Sequence, residues 1–442
     1  MNQPITIIGA GLAGSEAAWQ CARRGVAVTL HEMRAVRSTP AHQTEHFAEL
    51  VCSNSLKSES EHTAPWLLKE EMRRAGSLLL ELARECAVPA GHALAVDRVA
   101  FSAKVTEAIS REPLITVRRE EVTRIDREQL TIVATGPLTS DDLALEIARL
   151  TGSERLFFYD SISPIVEADS IDRSKVYLAA RYDKGTADYI NCPMTKEEYD
   201  RFLDALLAAE SVEEKDWEKL NYFEGCLPIE EIARRGRDTL RFGPMKPVGL
   251  IDPRSGKRPY AVVQLRQENL RADSYNLVGF QNHLRFADQT RVMRMIPGLE
   301  QARFLRHGQI HRNTYINGPE LLRDTLQMKQ HSSIFFAGQI CGVEGYVESI
   351  ATGLLAGVQA ARLAGGETPL APPRACALGS LMNYVTQADP KKFQPANITF
   401  DLLPALEVRV RDRKERHQQQ CEVALRAFDG WVAEAGIVAV TK

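Results

Sequence analysis

Short apolar runs and helix-periodic stretches alternate along the first part of the chain. Ile5-Thr6-Ile7-Ile8 is one run, Ser15 to Ala22 has helical character, and Val26-Ala27-Val28-Thr29-Leu30 is a second run, which together predict a βαβ unit. Further on, Leu67, Leu68, Met72, Leu78, Leu79 and Leu82 predict one buried helix face from Trp66 to about Glu85, weakened by Gly76. Short strands are expected at Ala93–Val96 and Leu114–Arg118, and another at Leu130–Ala134, running into Thr135-Gly136-Pro137. A helix over Asp141–Leu150 follows, capped by Thr139 or Ser140. From about Phe157 to Gly318 the pattern changes, with strands expected at Tyr177–Arg181 and Tyr260–Arg266 and a helix over Lys196–Leu207. Near Ser333 the earlier pattern returns as an apolar strand, a glycine-rich turn and a helix from Glu348 to Leu363. Proline breaks follow Pro369, then a basic, glutamine-rich stretch from Arg409 to Gln420 and a terminal helix to Trp431.

The turn inside the βαβ unit is Gly9-Ala10-Gly11-Leu12-Ala13-Gly14, and Glu32-Met33-Arg34 ends the second strand. In the dinucleotide fingerprint the first glycine makes the turn, the second lets backbone approach a pyrophosphate, and the third lets helix and strand pack closely. An acid about twenty residues later accepts hydrogen bonds from the adenosine ribose. With both strands, the helix and Glu32 in place, an adenine dinucleotide is favoured over a glycine turn that merely packs. Thr135 and Gly136 would then lie where a strand passes under the dinucleotide, although a strand simply stopping at a turn reads the same way. Gly338, Gln339, Glu344, Gly345 and Tyr346 form a late turn before a helix, which would bring a helix N-terminus toward an anionic or electron-rich ligand. Such a turn closes the FAD site in many flavoproteins. The expected fold is therefore α/β: a Rossmann-like FAD-binding domain from residues 1–156 and 319–442, with an inserted, smaller α+β domain at 157–318.

Length supports this division, since 442 residues exceed what one core usually holds. No apolar run approaches the roughly 20 residues that span a bilayer, and no signal-peptide pattern opens the chain, so a cytoplasmic location is expected. The net charge of −3 conceals a split. Lys196 to Glu231 holds 12 acidic and 4 basic residues, and Arg234 to Arg312 holds 16 basic and 6 acidic ones. The second segment would attract a polyanion, unless its charges pair with the first.

Eight cysteines occur, none in CxxC spacing, which argues against a zinc knuckle or a redox dithiol. Cys52, in the polar loop Val-Cys-Ser-Asn-Ser-Leu, and Cys226, presented between Gly225 and Pro228, have contexts suited to chemistry, and Cys341 is a third candidate. The stretches GAGLAGSEAAWQCARRG with HEMR, LVCSNSLKS, IVATGPLTS, NYFEGCLPIEE, LRFGPMKPVGL, NLVGFQNHL and FFAGQICGVEGYVESIATG resemble the bacterial folate- and FAD-dependent tRNA uracil-5-methyltransferases, relatives of the GidA tRNA-modification flavoproteins. That resemblance implies methyl transfer from 5,10-methylenetetrahydrofolate to C5 of the T-loop uridine (nucleotide 54) of tRNA, with FAD reduced by NADPH or NADH. It implies Cys226 as the nucleophile adding to uracil C6 and Cys52 as a second catalytic thiol beside the flavin. Tyr346 is expected against the flavin ring, and His283 is a weaker candidate for a folate or flavin contact. No metal and no obligate protein partner is expected, and without a second GxGxxG no separate nicotinamide domain is expected. The rival readings are a GidA-like modification of the wobble uridine, a non-catalytic flavin-containing tRNA-binding protein, and a plain NAD(P)H oxidase.

Overall fold

The computed structural model describes residues 3–39, 41–152, 156–183, 185–211 and 227–437, the side chains of 156–161 and 310–312 excepted. A five-stranded parallel sheet runs in the order Ile334–Phe336, Thr131–Val133, Ile5–Ile8, Val28–Glu32, Ile115–Arg119. The strands Ile334–Phe336, Thr131–Val133 and Ile5–Ile8 are short and mostly apolar because helices cover them, while the edge strand Ile115–Arg119 is largely exposed. The helix Leu12–Ala22 crosses the helix Tyr346–Ala364 at very close range. A Cβ on Gly353 would collide with the Ala13 carbonyl oxygen, and one on Gly357 would lie 2.6 Å from that of Ala17.

The region between the two ends of this sheet builds a six-stranded antiparallel sheet. Its order is Tyr177–Leu178, Ile190–Met194, Ala261–Gln267, Ser274–Leu277, Ile165–Glu167, Phe304–Arg306. Leu156–Ser161 and Ile310–Tyr315, paired antiparallel, carry the chain out and back. One buried apolar cluster draws on residues 5–150 and 316–437, and a second, including Val166, Phe202, Leu203, Val263 and Phe280, belongs to the antiparallel region. A small sheet of Ser55–Ser58, Ala93–Val96 and Ala87–Val88 lies beside the Cys52 loop.

Several elements differ from the sequence reading. Gly76, at φ +74°, divides the expected long helix into Ala64–Arg74 and Leu78–Glu85, and Ser77 caps the second by accepting from the Leu80 N–H. The strand expected at Tyr177–Arg181 stops at Leu178, since Tyr182 and Asp183 turn the chain with positive φ. The helices Arg98–Arg111, Phe286–Met293 and Ala377–Gln387 are among those that the sequence pattern does not predict. In the first, Phe101, Val105 and Ile109 make a narrow buried stripe among polar residues, a weak periodic signal. Ser140 precedes the Asp141–Thr151 helix but makes no side-chain capping bond to it.

Candidate active site

Steric necessity shapes the turn after the first strand. Gly9 has φ +98°, and a Cβ there would lie 2.6 Å from the Ala134 carbonyl oxygen at the end of the neighbouring strand. A Cβ on Gly14 would collide with the Gly9 carbonyl oxygen, whereas one on Gly11 would meet nothing within 4 Å. Two of the glycines therefore serve protein packing and the third borders open space.

That space is a cleft across the C-terminal ends of the parallel strands, where the chain reverses its strand order and such sheets bind ligands. It consists of a smaller and a larger cavity, which share Gly11, His42, Thr135 and Leu138. Gly9, Glu32, Met33 and Arg34 line the smaller. Leu12, Ala13, Gly136, Gly338, Gln339, Glu344, Gly345 and Tyr346 line the larger, together with Cys52. Ala10 lines neither cavity, and instead its N–H donates to Glu32 Oε2 at 3.0 Å. The carboxylate of Glu32 also accepts from the Arg34 N–H and from Arg34 Nε and Nη2. Burial alone would push the Glu32 carboxyl up, but Arg34 and the two N–H groups outweigh it and hold the carboxyl below the usual range. Gln339 donates to Glu344 at 2.6 Å, bracing the late turn.

Cys52 sits on a heavily fastened loop. Its N–H and that of Ser53 both donate to the Tyr346 hydroxyl, at 2.8 and 3.1 Å, so this tyrosine holds the cysteine loop against the late glycine turn. Burial pushes the Tyr346 phenol well up, which keeps it neutral. Three largely buried arginines grip the same loop. Arg98 donates to the carbonyls of Leu50 and Val51, Arg306 to those of Val51 and Ala41, and Arg266 to Asn54 Oδ1 and Ser53 Oγ. Glu268 is bound to Arg98 at 2.6 Å and Glu49 lines the same cavity, so the three arginines outnumber the carboxylates around the loop. Of the seven described cysteines Cys52 alone is not buried. Burial pushes the thiols of Cys21 and Cys341 up to about 12, which removes Cys341 as a candidate nucleophile.

Cys226 lies outside the described residues. His283 lines neither cavity: its side chain is buried, with Nδ1 2.9 Å from Glu230 Oε1, and the same carboxylate accepts its backbone N–H. A flavin or folate contact at His283 is thus not what the geometry offers. No sequence motif points to a site role for Arg98, Arg266, Arg306, His42 or Gln281, the last of which lines the larger cavity from the antiparallel region. Asn54 and Ser53, inside the quoted cysteine motif, were the available signal, because a buried amide and hydroxyl demand partners.

Comparison with known proteins agrees with this geometry. Residues 4–368 match the family model described as GIDA, glucose inhibited division protein A. The chain is 72% identical over 442 residues, 99% of its own length and 100% of the relative's, to the methylenetetrahydrofolate--tRNA-(uracil-5-)-methyltransferase TrmFO of Koribacter versatilis. Identity to the protein of the same name from Bacillus licheniformis is 56% over 428 residues, covering 97% of this chain and 98% of the relative. Among solved structures, Aquifex aeolicus GidA in its form II crystal superposes with a TM-score of 0.73 at 17% identity, over 99% of this chain and 74% of that one, and so shares its fold.

Proposed function

The chain belongs to the GidA family and, within it, to the methylenetetrahydrofolate--tRNA-(uracil-5-)-methyltransferases, and from that premise we propose that it methylates C5 of the T-loop uridine, nucleotide 54, of tRNA. The methylene donor is 5,10-methylenetetrahydrofolate, the reductant NADPH or NADH, and the setting the cytoplasm; among the described residues no helix is long and apolar enough to cross a membrane. The observation that carries this reading is the position of Cys52, an accessible cysteine held by Tyr346 in the cavity that opens from the dinucleotide turn.

The residues present fit FAD. Gly11 leaves room for a pyrophosphate at the start of the Leu12–Ala22 helix, Glu32 stands by the adenosine end, and the 338–346 turn borders the larger space for the ring. Bound and reduced, FAD supplies the two electrons that bring a transferred methylene to the methyl level. The chain's own part concerns the uracil. C5 is a poor nucleophile until a thiolate adds to C6 and pushes charge onto it, the role given to Cys226. Cys52, in cationic surroundings, then takes the C5 proton, and Cys226 leaves C6 as the thiolate once the methyl level is reached, which restores the C5–C6 double bond. Residues 1–156 and 319–442 form the FAD-binding domain in this reading, and 157–318 bring the substrate to it.

Incubating the FAD-loaded enzyme with a T-loop hairpin, methylenetetrahydrofolate and NADPH tests the proposal by mass spectrometry of the nucleosides. Wild type should yield 5-methyluridine, and Cys52→Ala and Cys226→Ala should each lose it while keeping the flavin absorbance. Absence of 5-methyluridine from the wild-type reaction defeats the proposal, as does full activity in either variant.

A further inference from the structure

The motif LRFGPMKPVGL, residues 239–250 with Thr239, plays no part in the cleft, yet it is firmly fastened. Leu240, Met245 and Leu250 are buried, the Val262 N–H donates to the Met245 carbonyl, and Arg181 donates to the carbonyls of Lys246 and Val248, both at 2.7 Å. What this rigid segment presents outward is unusual. Phe242 is 81% exposed and Ile251 57%, while Tyr182, 52% exposed, lies against Gly249 and donates its N–H to the Gly249 carbonyl at 2.7 Å. Phe242 is the most exposed large apolar side chain among the described residues, and a cluster of such side chains marks a contact made with something else.

Charge identifies the occupant. Part of the positive charge between Arg234 and Arg312 is paired internally: Arg237 with Asp200 and Asp204 and Arg285 with Glu210, outside the segment, and Arg291 with Asp288 and Arg254 with Asp252 within it. Lys246, Lys257 and Arg258 make no ion pair among the described residues, and all three lie on or beside this segment. Aromatic faces with unneutralised cations suit RNA, whose unstacked bases rest on rings while phosphates meet lysine and arginine. A second copy of the chain would set these same cations against each other across a twofold axis. The surface also leads to the reacting end of the cleft. Arg181 and Gln264, bonded at 2.8 Å, line a cavity with Lys57 and His92, and Lys57 in turn lines the Cys52 cavity.

We propose that residues 239–258 form the docking face for the target tRNA, with Phe242 stacking on a base and Lys246, Lys257 and Arg258 meeting phosphates. The assignment rests on tRNA being the substrate. It is tested by titrating full-length tRNA against the FAD-loaded enzyme at several salt concentrations. Phe242→Ala should weaken binding about tenfold. The double variant Lys257→Ala/Arg258→Ala should flatten the dependence of log affinity on log salt by about 1.5. Lys391→Ala, an exposed lysine elsewhere, should do neither. All three side chains are exposed, so flavin content and melting temperature should match wild type and exclude misfolding as the cause. Wild-type affinity and slope in both test variants would overturn the docking face alone, as would a Phe242→Ala protein whose sedimentation changes while its tRNA affinity does not. A wild-type enzyme with no salt-dependent tRNA affinity and no 5-methyluridine product defeats the substrate reading, and the docking face with it.

Discussion

Gly11 and Gly14 are three residues apart in one motif, but they answer to different constraints. A side chain on Gly14 has no room because the Gly9 carbonyl oxygen occupies it, so Gly14→Ala forces helix and strand apart in the protein itself. A side chain on Gly11 meets no protein atom within 4 Å and enters only the space a dinucleotide would take. Gly14→Ala is therefore expected to cost about 1–3 kcal/mol of stability even without cofactor. Gly11→Val should melt with the wild-type apoprotein and fail to retain FAD. Thermal unfolding of the stripped proteins, followed by flavin titration, separates the two effects; equal destabilisation by both substitutions would refute the distinction. Cys52 shows a related economy, since its position is fixed by neighbours rather than by its own side chain: Tyr346 takes its N–H and the three arginines take the carbonyls and side chains on either side.

At the scale of elements, buried carboxylates join helices distant in sequence. Glu16 accepts from Ser77 Oγ and the Leu79 N–H at the start of the Leu78–Glu85 helix. Glu71, on the Ala64–Arg74 helix, accepts from the N–H groups of Ala377 and Leu378 and so ties the start of the Ala377–Gln387 helix to the front of the chain. Burial pushes the Glu71 carboxyl up to about 8, the two N–H bonds offsetting only part of the effect. Between the ordinary value of 4.5 and about 8 the folded chain then holds more protons at this site than the unfolded chain. Its contribution to stability is complete below the lower value, declines as pH rises, and levels off above the upper one, with a steepest slope of about 1.4 kcal/mol per pH unit. Glu71→Gln cannot ionise but surrenders one acceptor, so it should be less stable than wild type near pH 5 by about 1 kcal/mol and should lose less stability on going to pH 8. Urea unfolding across that interval checks this; parallel pH profiles for the two proteins would contradict it.

Across the whole molecule, the parallel sheet and its glycine turns were legible in the sequence because they depend on local pattern: an apolar run, a glycine spacing, an acid at the next strand end. The arginine clamp was not, since Arg266 meets Asn54 across 212 residues and Arg306 meets Ala41 across 265, and no local pattern records such meetings. The basic excess after Arg234 was legible as a number only. Folding resolves it into internal pairs, such as Arg237 with Asp204, arginines bound to carbonyls, such as Arg294 with Ala302, and cations such as Lys257 and Arg258 that make no ion pair among the described residues. These long-range contacts also explain how the two apolar clusters act together. Arg98 and Asn54 belong to the first region, Arg266, Gln267 and Glu268 to the second, and all five converge on the loop carrying Cys52. Glu268 is the element whose loss is most informative. Its carboxylate accepts from Arg98 Nε and Nη2 and from Asn276, and side-chain exposure in the Glu268–Arg98 pair is only 5% and 12%. Glu268→Gln leaves the Arg98 guanidinium buried without its counter-charge, which should cost about 3–5 kcal/mol. Because that guanidinium also holds the Leu50 and Val51 carbonyls, 5-methyluridine formation should fall together with stability, while Glu268→Asp, which restores a charge at shorter reach, should recover part of both. Urea unfolding and the hairpin assay on the two variants decide it: a Glu268→Gln protein as stable and active as wild type would show that the Cys52 loop does not depend on the second region.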